Sequence, residues 1–340
     1  MKNDKILCDA AFEGGGIWGI GYVGAITKFE EKGYKFRNVA GTSAGSIVAA
    51  LVAAGYSAAE LRKEMQKAEF ASFKELYYDQ AGAFNMIVSL LGAKKNLGIY
   101  RARKLEDWIE RLLDEKGVHT FGELGGRLKI VASDTTTGQK IVMPDDLAKY
   151  GKNPDNFSVA AAVRMSISIP LYFEPCTIRD KSGVEHQIVD GGITSNYPIT
   201  TIDDNAKLDV PTFGFRFESS ASGKSDKKPD LSDFTGRVLS TVITSQSNEV
   251  SKYIRGDKQR TVFIDTAVHG KEISPVNFSL TGKEFDGLYQ NGVHAAENFL
   301  ETWNFKDWQS THRSQLHHII STVGTGIKGV ADTIADFVEK

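Results

Sequence analysis

Val39-Ala40-Gly41-Thr42-Ser43-Ala44-Gly45-Ser46 is the stretch from which the rest of this chain can be read. An apolar pair leads into Gly-Thr-Ser-Ala-Gly, and Ile47-Val48-Ala49-Ala50-Leu51-Val52-Ala53-Ala54 then continues at helical length. The pattern is strand, tight turn and helix, with a serine at the apex. In such a G-x-S-x-G elbow, Gly41 and Gly45 let strand and helix approach closely while Ser43 stands exposed on a strained turn. A hydroxyl in that place sits at a helix N-terminus, where free backbone N–H groups favour negative charge. The pentapeptide alone leaves two readings open, Ser43 as a nucleophile or Ser43 as a helix cap.

A second turn of the same kind precedes it. Ile6-Leu7-Cys8-Asp9-Ala10-Ala11-Phe12 reads as a strand, Gly14-Gly15-Gly16-Ile17-Trp18-Gly19 follows, and a helix runs from about Ile20 to Lys32 before stopping at Gly33. The glycines match the letter of G-x-G-x-x-G, which raises a dinucleotide fold. That fold wants a carboxylate at the end of the second strand for the ribose, and the strand here ends in Val39-Ala40-Gly41-Thr42-Ser43. A phosphate-binding P-loop fails as well, since no Gly-Lys-Ser/Thr follows. What remains is a glycine loop and a serine elbow side by side at the carboxyl edge of one sheet. Acyl transfer needs backbone N–H groups aimed at a developing oxyanion, and residues without Cβ let main chain come close enough. The amides of Gly15 and Gly16, with Ala44 as a third donor, are the candidates; the plainer reading is a glycine turn for packing.

Composition narrows the function classes. The chain has 340 residues, 41% apolar and 25% charged, with a net charge of -2, which gives no electrostatic case for nucleic-acid binding. No run approaches the length of a membrane span, and the start carries no signal peptide, so the expected setting is cytoplasmic. Cys8 and Cys176 sit in strand-like apolar contexts and read as two thiols rather than a disulfide. No metal-ligand spacing is present.

Further along, Ser57-Ala58-Ala59-Glu60 is a capping box that opens a helix to about Ala68. The aromatic and apolar stretch 70–97 reads as an insertion over the site, a lid or acyl-chain wall, or as a surface helix pair packed on the core. Arg103 to Leu113 is an amphipathic helix, Leu128 to Ser133 and Lys140 to Met143 are strands, and Ser158 to Met165 is a short helix. Leu171 to Ile178 and Val184 to Val189 form a hairpin that delivers Asp190-Gly191-Gly192. Val210 to Phe217 and Thr261 to Ile264 are strands, a long helix covers about Phe234 to Ile254, and the capping box Thr281-Gly282-Lys283-Glu284 opens another. Strands alternating with helices predict a three-layer α/β/α sandwich around a central, mostly parallel sheet. Residues 1–311 make one domain. Residues 312–340 form an amphipathic helical tail that docks on the body or meets a partner or membrane surface.

A nucleophilic serine needs a base. His186 lies four residues before Asp190 in one strand, about 13 Å away at roughly 3.3 Å per residue, so it cannot bond that carboxylate. His269 and His294 follow Asp190 but sit in no loop motif, and His119, His312, His317 and His318 read as surface positions. Asp190 ends a strand before Gly191-Gly192, so its carboxylate reaches the same sheet edge as Ser43. In a desolvated pocket its pKa rises, which suits a general base. The plainer reading is an Asp that closes a turn.

Gly14-Gly15-Gly16-Ile17-Trp18-Gly19, Gly41-Thr42-Ser43-Ala44-Gly45 and Asp190-Gly191-Gly192, in this order, resemble the patatin-like phospholipases. Gly98-Ile99-Tyr100, Ser133-Asp134 with Thr137-Gly138, Ser166 to Pro170 with Phe173, and Asn196 with Pro198 agree, so the likeness covers roughly Lys5 to Leu300. The resemblance implies lipid acyl hydrolysis through a Ser43–Asp190 dyad and a glycine oxyanion hole, without metal or cofactor. Its implied substrate is a membrane phospholipid or lysophospholipid, met by peripheral membrane contact. Two alternatives stand beside it: an acyltransferase using the same acyl-serine, and an effector that is silent until an activating partner docks. The tail would serve such a partner, or a homo-oligomer. One departure is Trp18, where the family usually carries Lys or Arg.

Overall fold

Strand β1 (Ile6–Phe12) feeds the glycine loop, a 3₁₀ turn at Gly16–Gly19 and helix α1 (Ile20–Glu31). Strand β2 (Tyr34–Thr42) then feeds the serine elbow and helix α2 (Ala44–Ala53), and α3 (Ala58–Lys67) follows from the Ser57–Glu60 capping box, both halves of which form. This is a computed structural model, and it describes residues 5–76, 96–203, 209–220, 241 and 257–310. The rest of the described chain supplies β3 (Gly98–Tyr100), α4 (Arg103–Asp114), β4 (Leu128–Asp134), β5 (Gln139–Met143) and α5 (Val159–Ser166). It continues through β6 (Leu171–Phe173), β7 (Cys176–Arg179), β8 (Glu185–Asp190), β9 (Thr212–Glu218), β10 (Thr261–Asp265) and α6 (Gly282–Thr302). Residues 77–95 of the stretch 70–97, the helix expected over 234–254 except residue 241, and the tail at 312–340 lie outside the described residues.

The main sheet is parallel through β10, β9, β1, β2 and β4, and antiparallel where β5 and β8 meet β4 and β7 meets β8. The mostly parallel α/β architecture expected from the alternation of elements is therefore present. Register on β4 decides where the site falls. A strand has two edges, and β5 occupies one of them from Ile130 to Asp134. Strands β2 and β8 must then share the other: β2 pairs up to Thr42 opposite Val131, and β8, running the opposite way, ends with Asp190 opposite Ala132. Their carboxyl ends meet head to head.

Alternate residues of β1 serve two layers, as a period of two requires. Cys8, Ala10 and Phe12 enter the main core beneath α1, α2 and α6, while Ala11 packs against Tyr197 and Ile199 on the opposite side. The core is aromatic: Phe12 stacks on Phe215 at 4.9 Å between ring centroids, and Phe29 meets Phe213 edge-on at 5.1 Å. Neither cysteine forms a disulfide. No helix among the described residues is long and apolar enough to cross a membrane.

One expected element divides. The strand read over Leu171 to Ile178 is two: β6 leaves the hairpin to pair in parallel with β3, and only β7 lies antiparallel to β8. Pro175 separates them, since it lacks a backbone donor and restricts Glu174 before it.

Candidate active site

The elbow adopts the conformation its glycines make room for. Ser43 has φ +52° and ψ -126°, a region that costs a non-glycine residue about 1–3 kcal/mol. A Cβ on Gly41 would stand 2.2 Å from the carbonyl oxygen of Gly45, and one on Gly45 would stand 2.3 Å from that of Phe12. The turn is thus closed between three backbones. Ser43 makes no side-chain cap for α2; its hydroxyl donates instead to Oδ2 of Asp190 at 2.6 Å. The capping reading of Ser43 is not the arrangement observed.

Asp190 closes a turn as well as facing the serine. Its Oδ1 accepts the N–H of Gly192 at 2.7 Å, at the start of the 3₁₀ turn Gly191–Ile193. Ser133 Oγ donates to the Asp190 carbonyl at 2.8 Å, and Thr42 Oγ1 donates to the Ser195 carbonyl at 3.0 Å, so both strand tips are latched. Both side chains of the pair are almost fully buried. Burial pushes the Asp190 carboxyl up to about 6, against the opposing pull of the Ser43 hydroxyl and the Gly192 N–H. A carboxyl of that pKa is ionised near neutrality and still basic enough to take a hydroxyl proton.

The glycine loop is held from outside. The Gly14 N–H donates to the Asn196 carbonyl at 3.1 Å, and the Ile17 N–H donates to the Pro275 carbonyl at 2.9 Å. Trp18 Nε1 donates to the Ile273 carbonyl at 2.6 Å, and its ring meets Phe217 edge-on at 5.5 Å. Trp18 therefore anchors the loop to the segment 273–275. No acceptor among the described residues takes the Gly15 N–H. Gly16 and Ala44 open the 3₁₀ turn and α2, the positions at which a helix leaves an N–H without an intrahelical partner.

His186, the histidine nearest Asp190 in sequence, is engaged elsewhere. His186 places Nδ1 2.8 Å from Asp134 Oδ2 and Nε2 3.4 Å from Asp180 Oδ2, and neither ring nitrogen reaches Asp190. Tyr150 donates to the same Asp134 oxygen at 3.0 Å. The Asp134 bond raises the His186 pKa, and against the cost of burial the Thr137, His186 and Tyr150 bonds hold Asp134 low.

An apolar cavity of about 60 Å³ opens beside Ser43, walled by residues including Ile20, Ile47, Leu105, Ile169, Phe173 and Phe278. Ser43 and the indole of Trp108 are its polar side chains among the described residues. Phe70 and Phe73, from the stretch read as a lid or acyl-chain wall, line it too. Sequence reading missed three contributors: the 273–275 segment, the Trp108 wall and the Ser166 hydroxyl, which accepts the Ser43 N–H at 2.9 Å. Each acts across a long separation in sequence; Ser166 lies in a stretch that supports the family resemblance, but its bond to Ser43, 123 residues away, has no local trace.

Comparison with known proteins agrees with the architecture. A family model described as patatin-like phospholipase matches residues 10–203, more than half of the chain. The protein YqhO of Bacillus subtilis (strain 168), described as uncharacterized, is 35% identical over 301 residues, covering 87% of this chain and 99% of that one. A cUMP-AMP-activated phospholipase of Escherichia coli is 26% identical, covering 58% of each chain. Among solved structures, VipD from Legionella pneumophila aligns at a TM-score of 0.47 and 17% identity, over 88% of this chain and 67% of that one. This chain belongs to the patatin-like phospholipase family.

Proposed function

We propose that this member of the patatin-like phospholipase family is a serine acyl-ester hydrolase that releases fatty acyl chains from phospholipids or lysophospholipids. The observation that carries the reading is the 2.6 Å hydrogen bond from Ser43 Oγ to Asp190 Oδ2 at the mouth of an apolar cavity. Ser43 Oγ attacks the ester carbonyl carbon as its proton passes to Asp190. The N–H groups of Gly15, Gly16 and Ala44 hold the oxyanion of the tetrahedral intermediate. Collapse breaks the bond to the leaving alkoxide, which takes the proton from Asp190 and departs as an alcohol. Water then attacks the acyl-serine, giving its proton to Asp190, and the second collapse returns that proton to Ser43 Oγ and frees the fatty acid. Geometry favours Asp190 as the base, because the buried histidine nearest in sequence is already committed to two other carboxylates.

The test is acyl release from phospholipid and lysophospholipid vesicles, followed by mass spectrometry, for the wild type and Ser43→Ala. Free fatty acid from the first and none above background from the second is the expected result. Equal release by a folded Ser43→Ala protein overturns the reading. A second reading, that a nucleotide switches the enzyme on, is favoured by the Escherichia coli relative named for its activation by cUMP-AMP. Activity that appears only when a cyclic dinucleotide is added would select it.

A further inference from the structure

The cavity beside Ser43 holds a contradiction with a fatty substrate. At about 60 Å³ it falls well short of the roughly 300–1,000 Å³ of a pocket that encloses a whole ligand, and so takes only the first carbons of an acyl chain. A second hollow, a surface groove of about 510 Å³, lies against it. Among the described residues, Phe73 and Trp108 alone line both spaces. The partition between the site and the groove is therefore one side chain thick.

The two partition residues come from different elements. Phe73 ends the 3₁₀ turn Phe70–Phe73, and Trp108 stands midway along α4. Their rings are 5.6 Å apart between centroids with planes inclined at 46°, a tilted contact rather than an interlocked one. Phe73 is buried, while Trp108 is only partly so and meets the groove beside Lys104 and Arg111. Rotation of an indole that already borders open space needs less repacking than displacement of a side chain enclosed on all sides.

We propose that Trp108, with Phe73, is the chain-length determinant of this site: an aromatic partition that ends the acyl pocket when in place and joins it to the groove when displaced. The proposal rests on the acyl-hydrolase reading of Ser43 and adds to it which acyl groups are accepted. Short acyl chains fit on the Ser43 side of the partition. Longer ones need the indole displaced, and the methylenes that follow are buried in the space it leaves, against Phe73 and Leu105, because the groove beyond is lined mainly by charged side chains, Glu64, Lys67, Glu69, Lys104, Asp107 and Arg111.

The test is the ratio of kcat/KM for p-nitrophenyl laurate to that for p-nitrophenyl butyrate, in the wild type, Trp108→Ala, Trp108→Phe and Phe73→Leu. Calorimetry on each protein shows which are folded. Trp108→Ala raises the ratio about tenfold or more, the gain from burying roughly two further methylenes. Trp108→Phe raises it less, because a smaller ring still divides the two spaces, and it decides the matter if the alanine protein does not fold. An unchanged ratio in the folded variants overturns the partition while leaving the hydrolase intact. Absence of turnover on both esters in the wild type, with and without an added cyclic dinucleotide, overturns the hydrolase reading and the partition together.

Discussion

The Ser166 hydroxyl accepts the backbone N–H of Ser43 at 2.9 Å and donates to the Val131 carbonyl at 2.6 Å. One side chain from the end of α5 thus fastens the elbow to β4 while Ser43 is held at positive φ. Removing it leaves a buried N–H without an acceptor, a loss of about 1–3 kcal/mol.

Ser166→Ala should lower kcat about tenfold to a hundredfold with little change in KM, since a small misplacement of a nucleophile affects the reacting geometry more than binding. Steady-state kinetics on a short soluble ester separates the two constants. A change confined to KM, or wild-type kinetics, would remove Ser166 from any positioning role.

The second expectation concerns pH. Asp190 acts as a base only when ionised, and burial raises its pKa to about 6. The profile of kcat/KM should therefore fall as pH drops through about 6 and level off above it, following the free enzyme. A limb centred near 4, the ordinary carboxylate range, would mean that the proton acceptor is a solvated carboxylate elsewhere.

His186 offers the opposite sign, in stability rather than rate. Its pKa is raised by Asp134 and, further out, Asp180, with the Tyr150 ring 5.0 Å away. A group whose folded pKa is raised adds stability that is complete below its unfolded value of about 6.5 and disappears as pH rises through the folded value. His186→Gln should accordingly lower Tm more at pH 5 than at pH 8 and leave short-ester turnover near the wild-type level. If turnover collapses as it does in Ser43→Ala, a histidine belongs to the chemistry after all.

Gly45 tests the elbow as architecture. A methyl group there meets the Phe12 carbonyl oxygen at 2.3 Å, a contact that neither backbone can relieve without moving β1 or α2. Gly45→Ala should destabilise by about 1–3 kcal/mol or more on chemical denaturation. Unchanged stability would mean that the turn has more freedom than its geometry indicates.

Much of this was legible in the sequence because its signals are local. The two capping boxes, the C′ glycine at Gly33 and the strand–glycine–helix turns each sit within a few consecutive residues, and each forms as read. The placement of Asp190 beside Ser43 could be read only as a shared sheet edge, since their meeting depends on β2 and β8 sharing one side of β4. The split of the 171–178 strand was missed because an apolar run outweighed Pro175. Trp18 stood out as a departure from the family pattern, but its bond to Ile273, 255 residues away, has no local trace. Phe73 fell within the stretch 70–97 read as a lid, an acyl-chain wall or a surface helix pair, and Trp108 within an amphipathic helix where nothing singled it out. Only the two spaces on either side distinguish them.

The most direct measurement is peptide mapping by mass spectrometry after treatment with a fluorophosphonate, which marks an activated serine by forming a phosphorus–oxygen bond and releasing fluoride. The wild type should carry one adduct, on the peptide containing Ser43. Asp190→Asn should react several orders of magnitude more slowly because the hydroxyl has lost its proton acceptor, and Ser43→Ala should not react at all. An adduct on another residue, or equal labelling of wild type and Asp190→Asn, would contradict the Ser43–Asp190 pair as the reacting centre.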